Sequence, residues 1–481
     1  MTFQQLEGLF YVIEKSFVNV AQTGRNWTMK QENNLTEGNV FRVLLEFSIP
    51  FVIANVIQAL YGAVDLLVIG KYCTPESVAA VSTGTQVTQI ITSMITGLTL
   101  GGTIMVGKYT GMNAKEEVRK TIGTTLSIFG AAAVVLTVLM LFFTPAVLRL
   151  LKTPEESFEL AKLYVIICSC GILFICGYNA ISAILRGYGD SKRPMMFIAL
   201  ACVLNIVGDV VLTGILGMGV AGVAIATIGS QAVSMICAIW YLNRNQFIFT
   251  FRFANLKIDR DKALELAKVG IPISLQECMV RLSFLYLTSV TNRLGVYAAA
   301  AVGVASKYDV FAMLPATSIA NALAAITAQN YGAGKPERAK RSLTAGLAFA
   351  VAASAVFWLW AQVSPQTMIG IFSDNQDIIA AGIPFFTSCS YDYLAVSFVF
   401  CLNGYLNGRS KTIFTMISCC FGALALRMPL IWLVYSRWPD NLFRIGTIAP
   451  LVSGFMACYT LIYVIYGFWK ERNAGRVSKT G

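Results

Sequence analysis

The chain has 481 residues, 56% of them hydrophobic and 13% charged, with a mean hydropathy of +0.65. A soluble domain carries about 25% charged residues, so this is an integral membrane protein with many spans, and its formal charge of +12 reads as Lys and Arg gathered in cytoplasmic loops rather than as a nucleic-acid surface. The absence of histidine excludes imidazole metal ligands, histidine proton relays and Ser-His-Asp chemistry, and the twelve cysteines, none in a CxxC pair, read as small apolar packing groups.

Residues 1–28 place Phe3, Leu6, Phe10, Ile13, Phe17 and Val20 at helical spacing, which predicts an amphipathic helix. No basic start leads into a continuous apolar run, so the segment does not read as a signal peptide. Met29 opens MKQENNLTEGNVF. Translation is expected to begin there, with residues 1–28 an upstream extension; the intact mass of protein made from its own locus decides this. Twelve apolar stretches follow, near 47–70, 84–108, 121–144, 160–181, 194–214, 219–242, 269–292, 298–328, 342–363, 383–405, 412–436 and 445–469. Each is long enough to cross a hydrocarbon core of about 30 Å as a helix. The loops after the even-numbered spans hold most of the loop Lys and Arg, including Lys115, Arg119 and Lys120, Arg252, Lys257 and Arg260, and Lys335, Arg338, Lys340 and Arg341. Both termini are therefore expected in the cytoplasm.

The chain repeats itself. Ile49-Pro50 and Ile271-Pro272 are 222 residues apart, as are Tyr109 and Tyr331, while Leu185-Arg186-Gly187 and Leu406-Asn407-Gly408 are 221 apart. Six spans per half is an even number, so the halves share one orientation, related by an axis along the membrane normal with a cavity between them. The expected fold is all-α: twelve transmembrane helices in two six-helix bundles related by a pseudo-two-fold axis. Its segments are a cytoplasmic extension (1–40), an N-terminal bundle (41–242), a basic cytoplasmic linker (243–268), a C-terminal bundle (269–469) and a cytoplasmic tail (470–481).

Asp65 is the only charge in the first span between Ser48 and Gly70. A carboxylate there costs roughly 2.5–3.5 kcal/mol on insertion scales, so it must face a partner or a wet cavity. Asp65 lies fifteen residues beyond Pro50, and Asp209 lies fifteen beyond Pro194 in the fifth span. At the rise of a helix both are roughly 22 Å from the inner surface. Asn205 shares a helix face with Asp209. Tyr164 and Thr227, counted from the outer ends of the fourth and sixth spans, reach a similar depth. Five polar side chains thus converge on one layer with no base among them, and two uncompensated carboxylates must hold a proton or a small cation. The C-terminal spans balance instead: Glu277, Asp309 and Asp392 stand against Arg281, Lys307 and Arg427. Glu277 and Arg281 are spaced to pair across one helical turn, and such sets can neutralise one another.

The segments VDLLVIG, QNYGAGKPERAK, LRGYGDSKRP and VLNIVGDVVLTGILGMGVAGVAIATIGSQ resemble the multidrug and toxic compound extrusion (MATE) family, from about Leu35 to Lys470. That resemblance implies a V-shaped cavity between two bundles and export of organic cations driven by inward H⁺ or Na⁺. In the DinF-like branch, an acid on the first span, Asn-x-x-x-Asp on the fifth, a tyrosine on the fourth and a threonine on the sixth form the coupling site. The matching positions are Asp65, Asn205, Asp209, Tyr164 and Thr227, with Na⁺, if it is the ion, expected at Asp65 and Asp209. The NorM-like branch uses an acidic C-terminal site. Here Glu277 lies about a turn too close to Pro272 and Asp392 about a turn too far from Gly408 for that pattern. Asp392, Asp309, Glu277 and Arg281 are therefore expected as a cavity-facing or secondary set.

Other readings fit less well. A related lipid-linked oligosaccharide flippase is expected to hold diphosphate in a strongly basic cavity. A membrane enzyme needs a nucleophile with a base, or a metal set. A channel does not explain the repeat and the titratable acids together. No Walker pattern occurs, so an ion gradient rather than nucleotide hydrolysis supplies the energy. The expected protein is a plasma- or inner-membrane monomer that is not an enzyme. It takes small organic cations as cargo and needs no cofactor beyond its coupling ion. In a cysteine-free background, cysteines at Ile258 and Gln376 should react with impermeant reagent from the cytoplasmic and external sides respectively. Labelling of Ile258 from outside would contradict this topology.

Overall fold

A computed structural model describes residues 34–480, apart from 152, 246, 373–374 and 439–440. The amphipathic helix expected in 1–28 and the start expected at Met29 lie outside the described residues. The spans are α1 (Val40–Tyr72), α2 (Pro75–Gly111), α3 (Lys115–Leu150), α4 (Glu155–Cys170 and Ile172–Tyr188), α5 (Lys192–Asp209, with a π-helical turn Val210–Ile215) and α6 (Gly219–Arg244). They continue with α7 (Arg260–Thr291), α8 (Val296–Gly332), α9 (Pro336–Val363) and α10 (Gln376–Cys389 and Tyr391–Gly408). Last come α11 (Thr412–Cys420, a π-helical stretch Phe421–Arg427, and Met428–Arg437) and α12 (Leu442–Thr480). Ten of these are long and apolar enough to cross a membrane as they stand, and α4 is an eleventh, bent by 48° between its two parts. The twelfth, α7, has 32 residues but carries Glu265, Lys268, Glu277 and Arg281 along its length. The twelve-helix, two-bundle expectation holds.

Local chemistry sets the helix starts. The Asn39 side chain accepts from the Phe41 and Arg42 amides and begins α1; the Asp259 side chain accepts from Asp261 and Lys262 and begins α7. These caps satisfy amides that have no partner inside the helix. Because Asp259 caps there, α7 starts within the segment expected as linker 243–268. At the other end, the residues expected as tail 470–481 continue α12 as helix to Thr480. Glu471 ties that continuation down, pairing with Arg409 and, at 3.2 Å, with Lys340.

The bundles meet where α1 and α2 face α7 and α8, and glycine lets the backbones approach closely. A Cβ on Gly97 would lie 2.2 Å from the Ser274 amide nitrogen, and one on Gly111 only 2.0 Å from the Gln329 carbonyl oxygen. Ser274 Oγ donates to the Met94 carbonyl at 2.7 Å, Gln329 Nε2 to the Gly187 carbonyl at 2.8 Å, and Asn55 Nδ2 to Ser318 Oγ at 2.9 Å. Ion pairs finish the seam: Lys108 with Glu265 at 2.7 Å and Lys262 with Glu117 at 2.6 Å, with the Tyr109 hydroxyl donating to Glu265 at 2.6 Å.

The chain leading into each bundle is also held by the other. Asn330 at the end of α8, Lys335 in the α8–α9 loop and Arg338 at the start of α9 donate to the carbonyls of Leu35, Thr36, Glu37 and Gly38 ahead of α1. Thr124 Oγ1 of α3 in turn accepts from the Asp259 amide ahead of α7, at 3.0 Å. All these contacts lie between the face carrying the described ends of the chain and about the midpoint of the spans, so the bundles are fastened at that end. Gly111→Val should pry this seam open while each bundle keeps its own core. A cysteine at Gln329, buried here, should be unreactive to thiol reagents in the parent and labelled in the Gly111→Val protein; continued protection would contradict the close packing.

Candidate functional site

Four of the five N-terminal residues come together directly. Asp65 of α1 faces the side chains of Asp209, Asn205 and Thr227 from α5 and α6. Asp65 is 4% exposed, Asn205 and Asp209 are 0% and Thr227 is 9%, so the group is out of solvent. Asn205 Nδ2 donates to Asp209 Oδ1 at 3.5 Å across one turn of α5. Tyr164 lies near Asp65. Its ring packs on Gly84, where a Cβ would come within 2.3 Å of it, and its hydroxyl lies 3.5 Å from Thr85 Oγ1.

Each of the four central residues leaves one buried oxygen without a hydrogen-bond partner: Asp65 Oδ1, Asn205 Oδ1, Asp209 Oδ2 and Thr227 Oγ1. Buried polar atoms are nearly always paired, and a shared group of partnerless oxygens is a site for something that donates or is positive. Among the described residues, no Lys or Arg acts on either carboxylate. An all-oxygen set suits a proton or a hard cation such as Na⁺.

The backbone changes where the chemistry is. The α-helical part of α5 ends at Asp209, and the next six residues, Val210–Ile215, form a π-helical turn. Such turns are often found at functional positions. Here Thr213 Oγ1 donates to the Gly219 carbonyl at 3.2 Å, binding the turn to the start of α6.

Two residues escaped the sequence reading. The Tyr61 hydroxyl donates to the Thr227 carbonyl at 3.4 Å and lies 3.5 Å from Ser230 Oγ, so it spans α1 and α6 beside Asp65. Spacing was the available signal: Tyr61 precedes Asp65 by one helical turn and Ser230 follows Thr227 by three residues, each on its partner's face.

The C-terminal set divides. Asp309 of α8, Asp392 of α10 and Arg427 of α11 line one cavity with Phe284 and Leu287 of α7. Asp392 and Arg427 are 3% and 9% exposed. Glu277 and Arg281 do not join them. Glu277 lies beside Cys419 of α11, and Arg281, though it acts on Glu277 electrostatically, is exposed. Lys307 points away too, with its Nζ 4.9 Å from the Phe372 ring centre. The six charges do not form one mutually cancelling set: Arg427 shares a cavity with Asp309 and Asp392, Arg281 acts on Glu277 one turn away as their spacing implies, and Lys307 lies against Phe372.

A repeated twelve-helix membrane fold with ionisable groups sealed mid-bundle defines a multi-pass membrane transporter. The MatE family model matches residues 50–211 and again 272–433, starting 222 residues apart, and the chain belongs to that family. It is similar to the Probable multidrug resistance protein YpnP of Bacillus subtilis (strain 168), 29% identical over 444 residues, covering 91% of this chain and 97% of the relative. It is also similar to the FAD transporter of Shewanella oneidensis, 26% identical, covering 90% and 96%. Among solved structures, an outward-facing multidrug resistance MATE family transporter of the MOP superfamily aligns with a TM-score of 0.84 at 22% identity, covering 90% of this chain and 97% of that one.

Proposed function

We propose that this transporter is a secondary active exporter of organic cations, working by alternating access in antiport with H⁺ or Na⁺. The observation that carries this reading is the pair Asp65 and Asp209, which face each other out of solvent with no base beside them among the described residues. Two carboxylates this close cannot both remain ionised at low dielectric without a counter-ion. The surplus negative charge favours a positively charged cargo when the ion is absent, and the names of the multidrug relatives agree with varied small-molecule cargo. No cofactor beyond the coupling ion enters the scheme.

In the proposed orientation both termini face the cytoplasm, and the protein sits in the plasma or inner membrane. The bundles, 41–242 and 269–469, rock about the cavity between them. The seam of Lys108, Glu265, Lys262 and Glu117 then closes the cytoplasmic side, so the conformation described is one that releases cargo outward and takes up ions from outside. Ion occupancy neutralises the Asp65–Asp209 layer, shifts α1 and lowers affinity for the cationic cargo. Return of the ion to the cytoplasm resets the carrier.

Asp65→Asn and Asp209→Asn should each abolish ion-driven export in proteoliposomes under separately imposed pH and Na⁺ gradients. Both variants should still give a monodisperse protein, because replacing a buried charge that lacks a base by a neutral amide removes a desolvation cost. Wild-type export by either variant would make these acids structural.

A further inference from the structure

The internal repeat lets the two bundles be compared position by position. Leu287, Arg427 and Ile431 stand 222 residues after Asp65, Asn205 and Asp209. In the 221-residue register that α4 and α10 keep, Phe385 and Cys389 stand where the N-terminal bundle has Tyr164 and Cys168. All five of these C-terminal residues line the cavity that holds Asp309 and Asp392. The cavity is therefore the second copy of the ion site, in the same place in the second bundle, with its chemistry rewritten. The two carboxylates of the first copy have become leucine and isoleucine. Asn205 has become an arginine. Two new acids have arrived from α8 and α10, where the N-terminal bundle has Val87 and Gly171.

Within this cavity Arg427 Nε and Asp392 Oδ1 are buried with no hydrogen-bond partner. The Arg427 guanidinium carbon lies 4.9 Å from the centre of the Phe284 ring, a cation–π contact that fixes the charge from the α7 side. Arg427 acts electrostatically on both Asp309 and Asp392, and Ser453 of α12 approaches Asp392. The π-helical stretch of α11 ends on Arg427 itself, a helix irregularity beside the second copy as there is beside the first.

We infer that Arg427 is a tethered cation occupying the duplicated ion site, standing in for one mobile H⁺ or Na⁺ that the N-terminal bundle must take from solution. The C-terminal bundle thereby holds permanently the charge that the N-terminal bundle gains and loses. Ion-dependent movement is then confined to one bundle, while the other serves as its fixed counterpart. This inference rests on the reading of Asp65 and Asp209 as the mobile-ion site, and its test separates the two.

The full chain is purified in detergent with Asp65→Asn and Asp209→Asn as the parent background. Bound monovalent cation per chain is counted in two ways, by radioactive Na⁺ binding and by proton uptake with a pH indicator. Adding Arg427→Asn, which restores the residue type of the first copy, should add about one bound cation per chain. Adding Arg427→Lys, which keeps a tethered charge, should add none, and combining Arg427→Asn with Asp392→Asn should remove the gain. Substantial binding by the parent would count against the N-terminal reading, whereas the inference about Arg427 depends only on the difference its replacement makes. An unchanged count in a monodisperse Arg427→Asn protein, or an equal gain with Arg427→Lys, overturns it. Should Arg427→Asn fail to fold, Asp309→Asn and Asp392→Asn in the otherwise natural chain decide the matter. Each should leave the ion dependence of cargo affinity within about twofold of the parent, and loss of that dependence refutes a built-in counter-ion.

Discussion

The arrangement depends on an electrostatic debt in the N-terminal bundle. Asp65 and Asp209 are brought face to face with no base beside them among the described residues, and each retains an oxygen without a partner. A structural role alone would be served more cheaply by neutral side chains, since burying charge costs free energy unless it is paired. An arrangement that leaves the pair unpaired is suited to a charge that comes and goes. The surrounding construction follows from this. Asn205 and Thr227 complete an oxygen-lined group, Tyr61 links α1 to α6 beside it, and the π-helical turn after Asp209 gives α5 a local break in its regular hydrogen bonding. An ion that neutralises the pair can bias only those movements whose end states bind it differently, and α1 is the element that carries both Asp65 and part of the contact with the other bundle.

The repeat supplies a frame that the two halves use unequally. Tyr109 and Tyr331 occupy the same register, yet Tyr109 donates to Glu265 of the opposite bundle, while Tyr331 pairs with Tyr405, at 2.8 Å, and with Glu471 inside its own. One position thus helps close the seam and its copy staples a bundle together. The duplicated cavity shows the same divergence. The N-terminal group keeps two carboxylates on which no described base acts, whereas its counterpart in the repeat carries a guanidinium among carboxylates. Such inequality allows a symmetric framework to move asymmetrically.

Much of this was legible in the sequence because membrane folding leaves strong marks. Long apolar runs, a fixed register and loop charge define the spans, and a lone aspartate in an apolar helix marks a candidate site. Depth counting placed Asp65, Asn205, Asp209 and Thr227 in one layer because helical rise is regular. Tyr164 lies near Asp65 but turns its hydroxyl to Thr85 of α2, a partner that depth counting alone does not reveal. Rotational phase was harder to read. Counting charges within the C-terminal spans gave a neutral sum, but Arg281 reaches only Glu277 and Lys307 lies against Phe372, away from the cavity of Asp309 and Asp392, and only packing determines that. Tyr61 and Ser230 were overlooked because hydroxyls in apolar helices commonly bond their own backbone, and their cross-helix geometry is visible only once α1 and α6 are set side by side. The mooring of residues 35–38 by Arg338 and Lys335 likewise joins positions about 300 residues apart, which no local pattern announces.

If ion and cargo share the energy of one charged layer, each must weaken the other's binding by the same factor. The most direct measurement is the affinity of purified protein for a fluorescent organic cation, titrated across pH and across Na⁺ concentration. In the natural chain, affinity should fall as pH drops or as Na⁺ rises, and in Asp65→Asn/Asp209→Asn it should be flat against both. Full pH or Na⁺ dependence persisting in the double variant would contradict the account and place coupling outside the N-terminal bundle.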